Sequence, residues 1–325
     1  MSFNENFTAS QNPADVPAKA SRKAFGEKLR DLGAEDEKIV VLDADLSKST
    51  MSMMFAEKYP ERFIEMGIQE ANMLSTASGL ALSGFTPFCC SFAAFISGRF
   101  DQIKMSVAYS EAKVRIVGTH AGIGIGPDGY SQQGLEDIAM MRALHKMVVL
   151  QPADDVETEQ MVAFLAKDDA PAYLRLTRQN LPRVHGDDYV FELGKFPQLT
   201  NGKDLTLIAT GGTVAGAMDA AHLLADKGIS CRVLNASSLA PVDEAAIIAA
   251  AKETRGIVTI EDHNVKGGLG GAVCEVTAAN APCRVLCHGV KEFGESGTPE
   301  GLYAKHLLDG KGIAQVAEAF FKELT

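Results

Sequence analysis

Glu70 opens a helix otherwise built from small and apolar residues, in the stretch RFIEMGIQEANMLSTASGLALSG at 62–84. A negative charge at a helix start is favoured by the macrodipole, which is one use for it. The other use is chemical: a carboxylate can face a ring nitrogen of a bound cofactor. An aromatic segment follows, SFAAFISGRF at 91–100, in which Phe92 and Phe95 stand three residues apart. That spacing puts them on one helix face. They serve either as core or as a flat platform for a planar ligand.

A second group of residues could hold an anion. Arg22 lies in KASRKAF, Ser49 in DADLSKST just after a strand, and Arg178 in RLTRQNLPR after another strand. Between them comes the loop GTHAGIGIGPDGYSQQ at 118–133, with glycines at 118, 122, 124, 126 and 129. A dinucleotide fingerprint needs its last glycine to open a helix, and here Pro127, Asp128 and Gly129 interrupt. A loop this rich in glycine that still carries His120 and Asp128 suits a pocket wall where backbone approaches a ligand. Each arginine taken alone is equally a solvated surface group. Ligands of parallel sheets bind beyond the carboxyl ends of strands, and Ser49, His120 and Arg178 all follow such ends.

The elements that must position these residues alternate between short buried strands and helices. Apolar runs at 38–42, 114–118, 147–150 and 172–176 predict strands. A helix is expected over 19–32, with Gly33 as its C-terminal cap, and another from Glu70 to a stop at Gly84. Such alternation implies an α/β fold with mainly parallel sheets. Residues 184–203 predict a linker, and the alternation restarts at 205–209, 213–227, 231–234 and 257–260. This gives a first domain at 1–190 and a second at 200–325. In the second, Glu261, Asp262 and His263, with the glycine turn 267–271, are expected to form an exposed structural turn.

Bulk properties narrow the function classes. The 325 residues carry a net charge of −11, which disfavours nucleic acid and anionic membrane. With 46% hydrophobic and 22% charged residues, a large core is expected. No apolar run approaches a membrane span, and residues 1–17 look like a polar, flexible lead-in without signal-peptide character. The six cysteines lie in apolar segments and are expected to be reduced, and a cytoplasmic location is expected. Cys283 and Cys287 lack a matching second pair, so no metal site is expected on this chain.

The order DADLSKST, GIQEANM, SFAAF, THAGIGIGPDG and LTRQNLP resembles the transketolase family over nearly the whole chain. The likeness is greatest to the stand-alone C-terminal subunit of a split, two-gene transketolase. The resemblance implies a pyrimidine-binding domain, a transketolase C-terminal domain, and transfer of a two-carbon ketol unit between phosphorylated sugars. It also implies thiamine diphosphate as cofactor. Glu70 and His120 would be the catalytic positions, with Glu70 bonding the aminopyrimidine ring. Phe95, with Phe92 beside it, would stack on that ring, and Asp45 would shape its pocket. Arg22, Ser49, His120 and Arg178 match the family's phosphate-binding positions, and Asp128 an aspartate that contacts an acceptor hydroxyl. Gln132 stands where the family usually has a histidine near the donor. The family's segment for diphosphate and Mg2+ is absent, which implies an N-terminal partner subunit and an α2β2 assembly. A β-type subunit of a 2-oxoacid dehydrogenase and a non-catalytic regulatory subunit are the alternatives.

Overall fold

The computed structural model describes residues 17–324. The expected polar lead-in therefore lies, apart from Pro17, outside the described residues. The strands are β1 (Lys19–Ala20), β2 (Ile39–Asp43), β3 (Phe63–Glu65), β4 (Thr86–Phe92), β5 (Arg115–Thr119), β6 (Val148–Leu150) and β7 (Ala172–Arg175). They continue with β8 (Asn180–Leu181), β9 (Gln198–Thr200), β10 (Leu205–Ala209), β11 (Cys231–Asn235), β12 (Ser238–Ala240), β13 (Ile257–Asn264) and β14 (Val285–Val290).

A seven-stranded sheet runs in the order β12-β6-β7-β5-β4-β2-β3, and a five-stranded sheet in the order β14-β13-β10-β11-β9. Only β12 in the first and β9 in the second are antiparallel to their neighbours. The expected α/β fold with mainly parallel sheets is the fold observed. Continuous burial of β2, β4, β5 and β7 explains why these segments are apolar throughout rather than alternating. Strand β12 comes from the second half of the chain yet completes the first sheet. One apolar core cluster likewise joins Leu42 and Ile116 to Ile208, Leu234 and Leu269.

Three local expectations change. The first helix is Ser21–Glu35, because Lys19 and Ala20 instead pair with Leu181 and Asn180. Gly33 is not its cap but lies inside it. A Cβ there would meet the Tyr59 ring at 2.5 Å and the Phe55 ring at 2.7 Å, so packing demands the glycine. The expected linker is also built into the structure. Asp154 caps helix Asp155–Lys167 through Glu157 N at 2.9 Å. Its other oxygen accepts from Val184 N and His185 N, both at 2.8 Å. The stretch then supplies β9.

Arg115 shows how burial is compensated here. Its fully buried guanidinium donates to Leu165 O at 2.5 Å, to Ala170 O at 2.6 Å and to Asp168 O, at the end of helix Asp155–Lys167. A cation among the free carbonyls of a helix C-terminus is favourably placed.

Candidate functional site

The residues singled out by type follow the carboxyl ends of five neighbouring strands, β3-β2-β4-β5-β7. Glu70 comes after β3, Asp45 and Ser49 after β2, Phe95 after β4, His120 after β5 and Arg178 after β7. Arg22 joins them from helix Ser21–Glu35, donating through Nη1 to Ser49 O at 2.6 Å. Arg178 donates to Ile125 O at 3.1 Å.

Arg22 and Arg178 sit close enough to repel each other, and both disfavour a proton on His120. Burial and the neighbouring Arg178 push the Arg22 pKa down. Burial, then Arg22 and Arg178, push His120 down to about 3. Arg22 Nε is buried without a hydrogen-bond partner among the described residues. A concentrated positive site with an unmatched donor is complementary to an anion. His120 itself is held in the left-handed region, at φ 57, a conformation uncommon for side-chain-bearing residues and frequent at functional sites. Its Nδ1 lies 2.9 Å from Thr119 Oγ1.

The aromatic residues form a stacked group. Phe92 stacks on His120 at 3.8 Å and on Phe95 at 5.5 Å, with the two phenyl planes 16° apart. Phe92 is buried and Phe95 half-buried, so Phe95 offers the more open face. Glu70 is buried, starts helix Glu70–Leu82 and makes no side-chain hydrogen bond among the described residues. Its carboxylate meets Arg99 at 3.8 Å, a partner the sequence did not suggest. A buried carboxylate with free lone pairs beside a half-buried aromatic face can hold a flat, nitrogen-bearing ring.

Asp45 is exposed and also left-handed, at φ 62, with its N–H on Glu65 at 2.8 Å. The loop that carries it hangs on Asp43, another residue missed in sequence. Asp43 accepts from Leu46 N at 2.7 Å, Thr50 Oγ1 at 2.7 Å and Ser52 Oγ at 2.8 Å. Burial raises its pKa to about 6 against those hydrogen bonds. Asp128 is exposed and Gln132 half-buried, on the loop after His120.

That loop does not form the expected ligand-facing wall through its glycines. Its glycines admit protein rather than ligand. A Cβ at Gly118 would meet the Tyr173 hydroxyl at 2.3 Å, at Gly122 the Asp262 carboxylate at 2.1 Å, and at Gly124 the Gln179 amide at 2.2 Å. Glu261, Asp262 and His263, expected in an exposed turn, are instead fully buried in β13. Glu261 accepts from Leu269 N at 2.7 Å and Gly270 N at 2.8 Å, capping the next helix. Asp262 accepts from Arg175 at 2.7 Å and from Tyr303 at 2.9 Å. Arg175 also donates to Asp137 at 2.8 Å. This network ties the second sheet to the floor of the site, and its members lie too far apart in sequence to be paired by spacing. Cys274, Cys283 and Cys287 are only half-buried, unlike the core positions expected for them, and no disulfide forms among the described residues.

The His120 environment has a consequence for pH. An unfolded imidazole titrates near 6.5. The folded value lies below it, so the neutral ring's contribution is present above that pH and is lost as pH falls towards 3. Asp43 has the opposite sign, since its raised pKa removes stability as pH rises towards 6. The melting-temperature gap between the wild type and His120→Gln is expected to shift against the wild type from pH 7 to pH 4. A gap constant across that range would refute the assignment.

Comparison with known proteins identifies the family. The model of the transketolase pyrimidine binding domain matches residues 18–184, and that of the transketolase C-terminal domain residues 194–313. A Methanocaldococcus jannaschii protein described as a transketolase C-terminal section is 43% identical, over 94% of this chain and 98% of that one. Human transketolase is 38% identical over 91% of this chain, which spans only 48% of the human protein. A solved structure described as a split gene transketolase, inactive beta4 tetramer, superposes with a TM-score of 0.87 at 41% identity. It covers 93% of this chain and 98% of its own. Both halves of the described fold thus carry the same family's signature in order, and the chain belongs to the transketolase family as the C-terminal section of a split transketolase.

Proposed function

We propose that this chain is the C-terminal subunit of a thiamine-diphosphate-dependent transketolase acting on phosphorylated sugars, active only with an N-terminal partner. The observation that carries this reading is the convergence of Arg22, His120 and Arg178, with an Arg22 donor unmatched among the described residues, beside the Phe95–Phe92–His120 stack. The residues present fit the cofactor's ring half: Glu70 has free acceptor capacity, Phe95 a half-open face, and Asp45 stands on the adjoining loop. When bound, the cofactor supplies the electron sink for ketol transfer.

Each side chain then has a task. Glu70 holds a proton or hydrogen bond at the cofactor's aminopyrimidine nitrogen. Arg22 and Arg178 bind phosphate oxygens with planar forks. His120, neutral at physiological pH, gives or accepts a hydrogen bond without adding charge. Asp128 contacts an acceptor hydroxyl. Gln132 can hydrogen-bond a donor hydroxyl but cannot act as a general base, so donor preference differs from that of relatives with histidine.

Mg2+ and diphosphate binding belong to the partner, in an α2β2 assembly in the cytoplasm. The inactive state named for the similar β4 tetramer supports the need for that partner. No helix among the described residues is long and apolar enough to cross a membrane. A 2-oxoacid dehydrogenase would have no phosphate for the two arginines, and the family found does not favour that alternative.

Co-expression with the N-terminal subunit and a screen of paired phosphorylated and dephosphorylated sugars tests the proposal. Activity is expected only in the complex. Arg178→Ala should weaken phosphorylated substrates selectively, each lost charged hydrogen bond being worth roughly 1.5–3 kcal/mol. Equal damage to both sugar classes would make the arginine structural. Turnover by this chain alone would refute partner dependence.

A further inference from the structure

The loop that carries Asp128 and Gln132 is held in place from the other half of the chain. Gly122, Gly126 and Gly129 all have positive φ, and the loop's helical pieces are single turns closed by short-range backbone hydrogen bonds, so its shape also depends on what packs against it. Residues 291–298, which follow β14, lie against it. Gln133 Nε2 donates to Glu295 O at 3.0 Å, and Gly297 N donates to Gly126 O at 3.4 Å. The Tyr130 and Phe293 rings meet edge-on at 4.7 Å. The fit is close: a Cβ at Gly294 would fall 1.6 Å from Gln133 Oε1, and one at Gly129 2.6 Å from Ser296 Oγ.

The segment is itself anchored. Glu295 pairs with Lys305 at 2.5 Å and lies 3.6 Å from His306. Thr298 caps helix Pro299–Lys305 by accepting from Gly301 N at 3.1 Å. Tyr303 of that helix donates to Asp262, which also holds Arg175. A continuous set of contacts therefore runs from the second sheet to the loop.

We infer that residues 291–298 are a positioning element for sugar recognition, with Phe293 and Gly294 acting through Tyr130 and Gln133 on the placement of Gln132 and Asp128. This rests on the proposed function for its kinetic consequence, but not for its structural one. Small displacements of binding groups can change kinetic parameters strongly, so the supporting contacts matter as much as the touching residues.

Phe293→Ala is the direct probe, because Phe293 is 77% exposed and its truncation leaves no core cavity. Gly294→Ala is the second, since its methyl must displace the Gln133 amide. Hydrogen exchange on the chain alone should show faster exchange over 126–133 in both variants, with the melting temperature kept. In the complex with the N-terminal subunit, sugar KM should rise roughly 10- to 100-fold at unchanged kcat and unchanged cofactor affinity. Phe293→Tyr should restore the wild-type KM. Unchanged exchange overturns the inference, as does faster exchange with an unmoved KM. Loss of subunit association or cofactor binding in Phe293→Ala also overturns it, by making Phe293 an interface residue. A wild-type complex that turns over no sugar refutes the proposed function instead, leaving the exchange result to decide whether segment and loop are coupled.

Discussion

Glu70→Gln in the complex with the N-terminal subunit is expected to lower turnover by about 10²–10⁴-fold, the usual cost of losing a positioned acid–base group. The substitution keeps size and shape. It removes the carboxylate that lies 3.8 Å from Arg99, whose side chain is 50% exposed and remains solvated without its partner. The fold should therefore survive, with a melting temperature close to that of the wild type. Glu70→Ala should behave alike in turnover. Steady-state rates beside thermal melts decide the matter: a folded complex with near-normal turnover would remove Glu70 from the chemistry. Loss of folding in both variants would show that the carboxylate is there for the helix start.

The second large effect is on stability. Arg175→Leu should destabilise the chain by about 3–5 kcal/mol, because it strands two buried carboxylates. Arg175, Asp137 and Asp262 are each fully buried. Asp137 and Asp262 hold the guanidinium at 2.8 and 2.7 Å, and Arg175 also donates to Gly134 O at 3.0 Å. The two carboxylates raise its pKa further despite burial, so it stays charged. The surface pair Lys146–Glu111 is as short, at 2.6 Å, but both side chains are more than half exposed. Removing it should be close to neutral, as for most exposed ion pairs. Urea unfolding of the two variants side by side makes the comparison. A loss below about 1 kcal/mol for Arg175→Leu would mean that the network gains nothing over water.

Much of the candidate site's raw material is legible in the sequence. A carboxylate opening an apolar helix, phenylalanines three apart and hydroxyl or basic residues just past buried strands are short-range patterns. Glu70, Phe95, Ser49, His120 and Arg178 each announce themselves within a few neighbours. The ordered set of five motifs adds the family resemblance, since order survives where any single motif is weak. The parallel α/β fold follows from the same local periodicities.

Other features were not legible, for identifiable reasons. Glycines in 118–133 signal close approach, but not to what; the structure fills those spaces with Tyr173, Asp262, Gln179 and Ser296. Gly33 looked like a cap because it ends an apolar pattern, yet two rings press on it from an element some twenty residues on. Residues 184–203 read as linker from their polarity, although Asp154 satisfies two backbone donors there. The Glu-Asp-His triplet looked exposed because charged residues usually are. Its burial depends on partners 87 and 41 positions away, Arg175 and Tyr303.

The sequence alone determined which chemistry-bearing residues exist, which local elements carry them and in what order they occur. Tertiary structure alone decided which of them meet. The sheet orders its strands β3-β2-β4-β5-β7, not as the chain does, and this gathers Arg22, His120 and Arg178 into one charged site. It also decided which polar groups could be buried at all, since a buried charge is tolerated only where distant segments bring its partners to it.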